Sequence, residues 1–309
     1  MEHTILIIKL GALGDFIQAL GPIQAIRNHH KSQKLILLTT APFKALAIES
    51  NLVDEIILDR RPSSFNLFGI LSLRKQLKIK QFSRVYDLQT SQRSSLYFNL
   101  FWPKPYPEWS GIALKCSHPH NNALRNQMHT VDRQREQLQI AGIKTIKNSD
   151  LSWAFSDISK FGLPNQYALL IPGGSISRPA KHWPAKNFGA IAKLLKENQI
   201  TPVIIGTKIE KNIALSILEI ESLSIDLTGE TSLIEVIAIA KRAKLAIGND
   251  TGPMHICATV NCNSFIMFSN SSNPQLCAPR GKSVKLFCKK TLLDLTVSEV
   301  SASVLSAIK

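Results

Sequence analysis

ILIIKLGALGD, residues 5–15, sets the pattern that the rest of the chain repeats. Ile5-Leu6-Ile7-Ile8 is a short apolar run of strand-favouring residues. Lys9 interrupts it, and Gly11 and Gly14 then permit a tight turn and close approach of backbone to a ligand. An amphipathic stretch predicted as helix over 15–28 follows at once, and its first turn offers unpaired N–H groups. This is a buried strand, a glycine turn and a helix, with Asp15 at the mouth of whatever cleft the turn borders.

The same unit recurs along the chain, and such alternation predicts parallel α/β structure. Strands are expected at 4–9, 35–40, 55–59 and 84–88, with helices near 15–28, 42–50, 66–78 and 91–101. Pro22 lies inside the first helix and should break or kink it. Residues 102–121 are rich in Pro and His and read as loop, and a longer helix is expected at 122–141. A second series places strands at 167–171, 202–206, 224–227, 245–248, 264–268 and 284–288. Its helices fall near 184–198, 210–221, 231–243, 252–260 and 297–308. Periodicity lapses over 154–166, where Gly162 and Pro164 punctuate the chain. The expectation is therefore two doubly wound domains, 1–160 and 161–309.

The 309 residues suffice for two domains, and 44% hydrophobic with 19% charged residues excludes a disordered chain. No apolar run approaches the ~20 residues that span a bilayer. The N-terminal run has no small-residue cleavage site after it, so a cytoplasmic protein is expected. Five cysteines, an odd number at spacings that fit no zinc pattern, read as reduced and mostly buried thiols. Lys and Arg exceed Asp and Glu by 15. Such an excess implies an anionic partner: nucleic acid, a membrane surface or a phosphorylated ligand.

In open α/β sheets ligands bind beyond the carboxyl ends of the strands, and three segments with chemistry stand there. In the first, Asp15 could act as general base towards a hydroxyl or simply cap the helix. The spacing G-x-x-G, with Thr39-Thr40 rather than an acid ending the second strand, is not a dinucleotide fingerprint. The second segment, Pro172 to Pro184, combines glycines, Ser175, Ser177, Arg178, Lys181 and His182 ahead of a helix, which suits a diphosphate. An ordinary flexible loop with a solvated lysine is the plain alternative. The third, Gly248 to His255, has Asp250, Thr251 and Gly252 where a helix begins, Pro253 early in it, and His255 about one turn in. Its backbone N–H groups favour an anion. Asp250 and His255 could also begin a metal site, but no third ligand stands at suitable spacing. Helix capping and a core histidine are the plain alternative.

Together these segments resemble glycosyltransferase family 9, the ADP-heptose:lipopolysaccharide heptosyltransferases. The residues that carry the resemblance are ILIIKLGALGD (5–15), DLQTSQRSS (87–95), LLIPGGS with KHWP (169–175, 181–184), LTGETSLIE (227–235) and GNDTGPMHICA (248–258), in the family's order. The resemblance implies the GT-B fold: two facing Rossmann-like, doubly wound domains with the active site between them, the N-terminal one binding acceptor and the C-terminal one nucleotide sugar. In such folds the last helix can pack back on the N-terminal domain. By position, Asp15 matches the catalytic base and Lys181 the lysine on the donor phosphates. Asp250, Thr251, Gly252 and His255 match the nucleotide-sugar pocket, and Gly11, Gly14, Ser175 and Ser177, read from their own chemistry, complete the expected substrate-binding set. Some members hold the donor ribose with a glutamate after the second strand of the C-terminal domain. Here Lys208 stands in that place, and Glu210 is the acidic alternative.

The resemblance further implies an inverting, metal-independent displacement with no cofactor, the nucleotide sugar being the substrate. The acceptor it implies is an acidic, lipid-linked sugar, reached by peripheral association with the inner face of the cytoplasmic membrane. Gln89 and Arg93 are modest acceptor-contact candidates, and a surface arginine and a helix-start glutamine explain them as well. Phe98, Phe101 and Trp102 read as core rather than a membrane-facing tip. A nicotinamide-dependent oxidoreductase would need G-x-G-x-x-G, which is missing. A nucleic-acid-binding module would need a clustered basic stripe or stacking aromatics, and aromatics are only 7%. A non-catalytic nucleotide-sugar-binding protein is the remaining alternative.

Overall fold

The computed structural model describes residues 4–63, 65–174 and 178–308. The chain divides into two compact units between Asp150 and Leu151. In the first, strands β1 (Thr4–Ile8), β2 (Lys34–Thr39), β3 (Glu55–Leu58), β4 (Phe82–Asp87), β5 (Glu108–Gly111) and β6 (His118–Pro119) form a sheet of order β3-β2-β1-β4-β5-β6. Helices α1 (Leu13–His29), α2 (Lys44–Glu49), α3 (Leu67–Ile79), α4 (Gln92–Leu96) and α5 (Thr130–Ile140) belong to this unit.

In the second unit, β7 (Tyr167–Ile171), β8 (Thr201–Ile204), β9 (Ile225–Asp226), β10 (Leu245–Asn249), β11 (Asn263–Phe268) and β12 (Val284–Cys288) form a sheet of order β12-β11-β10-β7-β8-β9. Helices α6 (Ala185–Glu197), α7 (Lys211–Leu218), α8 (Leu233–Arg242), α9 (Gly252–Thr259), α10 (Pro274–Cys277) and α11 (Val297–Ile308) accompany it. All strand pairs in both sheets are parallel. Counted from its own first strand, each sheet has the same order, 3-2-1-4-5-6, the doubly wound topology. The central strands TILII and YALLI are buried throughout, as parallel strands covered on both faces must be.

The strands expected in the second unit agree with those observed to within two residues. The first unit departs from expectation in three places. Residues 102–121 are not all loop, for β5 and β6 lie within them; these strands are too short and polar to show alternation. Helix α5 covers only the second half of 122–141. His129 adopts an extended backbone and accepts the Val131 amide on Nδ1 at 3.2 Å, which starts the helix there. Pro22 neither breaks nor ends α1. The Gln18 carbonyl that a residue-22 amide would satisfy accepts the Ser149 hydroxyl instead (3.1 Å), and Ser149 Oγ accepts the Gly21 amide (3.1 Å).

The boundary lies upstream of the 154–166 stretch. Leu151, Ala154 and Ile158 are buried, and Lys241 Nζ donates to the carbonyls of Ser152 (3.0 Å) and Ala154 (2.6 Å). These contacts bind the connecting segment to the second unit. The last helix, α11, inserts Val300 and Val304 into the core that Phe188 and Ile191 of α6 help to form. It therefore packs on the core of the second unit. Among the described residues no helix is long and apolar enough to cross a membrane.

Candidate active site

In a sheet of this order, the winding reverses between the first and fourth strands, and the loops leaving those two strands diverge to open a crevice. In the first unit they follow β1 and β4; in the second, β7 and β10. The three sequence segments fall on these loops.

The loop after β1 is pinned on several sides. The Leu10 amide donates to Gln89 Oε1 (2.9 Å), while its carbonyl accepts Thr40 Oγ1 (3.1 Å) and Arg61 Nη2 (3.2 Å). Gly11 has φ +124°, and a Cβ there would stand 2.7 Å from Phe43 Cε2. Both backbone and space therefore require glycine. Gly14 is buried in the first turn of α1. Asp15 is the third residue of that helix and half-buried. The N-cap is Ala12 and no side chain caps the helix, so the capping alternative for Asp15 does not hold.

Two further ionisable groups stand beside this loop. Lys9 is buried and its Nζ donates to the Leu88 carbonyl at 3.3 Å. Burial pulls its ammonium below the usual lysine range, against the opposing charges of Asp15 and Asp87. Asp87 ends β4 opposite Ile8 of β1. Its Oδ1 accepts the amides of Gln89 (3.1 Å) and Thr90 (3.0 Å), and its buried Oδ2 has no hydrogen-bond partner among the described residues. Burial raises its carboxyl to about 6. The sequence reading passed over both; the signal was a charged residue closing an otherwise apolar strand. Gln89 and Arg93, the modest acceptor-contact candidates, have structural partners. Gln89 holds the Leu10 amide, and Arg93 Nη1 donates to the Pro62 carbonyl at 2.9 Å.

In the second unit Lys181 and Asp250 come together from the two loops that flank the β7–β10 crevice. Lys181 Nζ lies 2.5 Å from Asp250 Oδ2, with both side chains largely buried. Ser272 Oγ donates to the same oxygen at 2.6 Å. Asn249, fully buried at the end of β10, ties the loops together. Its Oδ1 accepts the Trp183 amide (3.0 Å) and its Nδ2 donates to the Pro172 carbonyl (2.6 Å). Neither Asn249 nor Ser272 was singled out from sequence. The solvated-lysine alternative does not hold for Lys181. His182 Nε2 would stand 2.7 Å from a Cβ at Gly174, so its ring lies against the glycine turn. Ser175 and Ser177 lie outside the described residues.

Thr251 takes the N-cap position of α9 with extended backbone but without a side-chain cap, and Gly252 opens the helix. The helix start is thus not spent on a local side chain, as an anion-binding terminus requires. His255 is buried in that first turn. Glu210 folds back to accept the Thr207 amide (2.7 Å) and hydroxyl (2.6 Å) on Oε2. Its Oε1 would meet a Cβ on Gly173 at 3.1 Å, which places the carboxylate against the β7 loop. Lys208 instead extends against Gly229. Of the two, Glu210 is the side chain that reaches the loop. Among the described residues no three His, Cys, Asp or Glu side chains gather as metal ligands would.

Comparison with known proteins gives the family and the fold. The family model described as glycosyltransferase family 9 (heptosyltransferase) matches residues 70–299. The lipopolysaccharide heptosyltransferase 1 of Campylobacter coli is 24% identical over 304 residues, covering 85% of this chain and 83% of its own length. The lipopolysaccharide core heptosyltransferase OpsX of Haemophilus influenzae is 22% identical over 280 residues, covering 83% of this chain and 76% of its own. Among solved structures, that of the E. coli ADP-heptose lps heptosyltransferase II superposes with a TM-score of 0.81 at 18% identity, over 100% of this chain and 98% of the other. A glycosyl transferase family 9 structure from Veillonella parvula gives a TM-score of 0.83 at 18% identity, over 99% and 97%. The shared architecture is that of two Rossmann-like domains, the GT-B fold.

Proposed function

We propose, since this chain belongs to glycosyltransferase family 9 (heptosyltransferase), that it moves a heptose from ADP-heptose or a related nucleotide-diphosphate sugar to an acidic lipopolysaccharide-core acceptor, with inversion and without a metal ion. In this reading Asp15 takes the proton of the acceptor hydroxyl as its oxygen attacks the anomeric carbon. The bond from that carbon to the diphosphate breaks, and the nucleoside diphosphate leaves with its gained charge. Lys181 and the uncapped start of α9 stabilise that charge, as preorganised donors do. Glu210 is the ribose-contact candidate, and Asp250 keeps Lys181 aimed into the crevice.

The observation that carries the reading is the buried Lys181–Asp250 pair at 2.5 Å, held where β7 and β10 diverge. A buried lysine that binds one carboxylate retains N–H groups for a second anion. With that cation and helix amides in place, leaving-group charge needs no divalent ion, which supports the metal-independent form of the reaction.

The test is a transfer assay with ADP-heptose and Kdo-lipid A, followed by mass spectrometry. Asp15→Ala is expected to lower kcat by about 10²–10⁴-fold, and Lys181→Ala to weaken donor binding as well as the rate. Full kcat in Asp15→Ala would remove the base assignment. Failure of the wild type to bind any nucleotide sugar would remove the donor assignment.

A further inference from the structure

The first unit carries an apolar surface that nothing in the proposed chemistry uses. Phe65 is 96% exposed, Phe68 88%, Leu67 67%, Trp102 64% and Leu71 57%. Phe68 and Leu71 are three residues apart on α3 and lie on one face, while Leu73 and Leu77 point into the core. Trp102 belongs to the same surface. Its carbonyl accepts Arg74 Nη2 (2.5 Å) and Lys78 Nζ (3.1 Å), both from α3. The sequence reading of Phe98, Phe101 and Trp102 as core therefore holds for the two phenylalanines and fails for the tryptophan.

The charge around this surface is of one sign. From Arg60 to Tyr86 there are seven Lys or Arg residues and no Asp or Glu. Lys80 and Arg84 pair with Glu55 and Glu108, whereas Arg60, Lys75, Lys78 and Lys104 are exposed, Lys75 and Lys78 on α3 itself and Lys104 two residues beyond Trp102. Aromatic and leucine side chains projecting from a helix flanked by lysines are what an interfacial helix presents to anionic lipid. The projection also matters. Side chains nearly as exposed as Phe65 and Phe68 form ridges and not a groove, and a fluid headgroup layer accommodates ridges. The surface is tied to the acceptor-side loop as well, since Arg61 reaches the Leu10 carbonyl and Arg93 the Pro62 carbonyl. Two residues separate Pro62 from Phe65, so the two lie at most about 11 Å apart.

We propose that Phe65, Phe68 and Leu71, with Trp102 and the surrounding lysines, seat this chain on an anionic lipid bilayer. The inference takes its purpose from the lipid-linked acceptor proposed above, but it is tested without transfer. The full chain is sedimented with vesicles of phosphatidylethanolamine and phosphatidylglycerol, and with neutral phosphatidylcholine vesicles. Binding is expected to the anionic vesicles and to weaken as salt rises. Phe65→Ser/Phe68→Ser/Leu71→Ser should lower it by about tenfold or more, and Lys75→Glu/Lys104→Glu by a similar factor. The charge pair keeps the test open should the triple variant fold poorly.

Transfer to a water-soluble acceptor fragment should be unchanged in both variants. Surface-dependent vesicle binding without any transfer would leave this inference standing and sink the enzymatic reading; transfer with vesicle binding indifferent to both variants would do the reverse. Equal binding to neutral and anionic vesicles overturns the proposal. So does a wild-type dimer in sedimentation velocity that the triple variant dissolves while vesicle binding persists, since the surface would then serve a second copy of the chain.

Discussion

Asp87 shows what a buried charge costs. A carboxyl whose folded pKa is about 6, against about 3.9 in an unfolded chain, binds its proton more tightly in the native state. Between those values the folded chain carries more protons than the unfolded one, so stability falls as pH rises from about 4 to 6. Above pH 6 the full penalty applies, on the order of 3 kcal/mol. Asp87→Asn keeps an acceptor for the Gln89 and Thr90 amides and removes the charge. Urea unfolding at pH 8 should show the variant more stable by about 1–3 kcal/mol, with a flatter profile between pH 4 and 6. A less stable variant with an unchanged profile would mean that the buried charge is not the source. Such a charge, kept beside Lys9 and the Asp15 loop, does not stabilise the fold. At this scale the sequence singles out candidates that glycines announce: Asp15, Lys181, Asp250. It did not disclose Asp87, Lys9 or Asn249, whose significance depends on strands that become neighbours only in the sheet. Nor do the Leu10 and Pro62 partners of Gln89 and Arg93 show in the sequence, since both are remote along the chain.

Helix α1 poses the corresponding question for elements. A proline inside a helix leaves the carbonyl four residues back without its donor, and sequence periodicity sees only that loss. The repair comes from Ser149, 131 residues beyond Gln18. The segment is tight against the helix, for a Cβ on Gly21 would strike the backbone of Lys147 and Asn148. Ser149→Ala strands the Gln18 carbonyl and the Gly21 amide together, and should cost about 1–3 kcal/mol in guanidinium unfolding. Pro22→Ala returns an amide to position 22, so the double variant should recover part of that loss. Strict additivity of the two substitutions would show that Ser149 does not act through the proline gap. Long-range repair of this kind explains why α1 outran its expected break. The missed strands β5 and β6 have a related cause, because Trp109 and Ser110 are held by Ser117 and Gln137 side chains rather than by a long apolar run. The second unit was legible almost to the residue because its strands are apolar, evenly spaced and bounded by turn residues.

At the scale of the whole molecule, one topology occurs twice with different equipment. The first unit places a carboxylate and a buried lysine on the loops flanking its β1–β4 crevice; the second places a lysine, a carboxylate that holds it, and an uncapped helix start at β7–β10. Each unit has its own core, so a ligand confined to one crevice should leave its mark there. ADP is the probe, and hydrogen exchange the readout. ADP should slow exchange in peptides covering 172–184 and 248–272 and leave 9–15 near its unliganded rate. At a concentration of 100 times its dissociation constant, ADP adds roughly 2.7 kcal/mol to the unit that binds it. For a unit of this size that is roughly a 5–10 °C rise in its melting midpoint. Lys181→Ala should abolish both effects and Asp15→Ala neither. Protection centred on 9–15 would transfer the donor to the first unit and reverse the division of labour. Protection at 172–184 that survives Lys181→Ala would keep the division and take the phosphate contact away from that lysine.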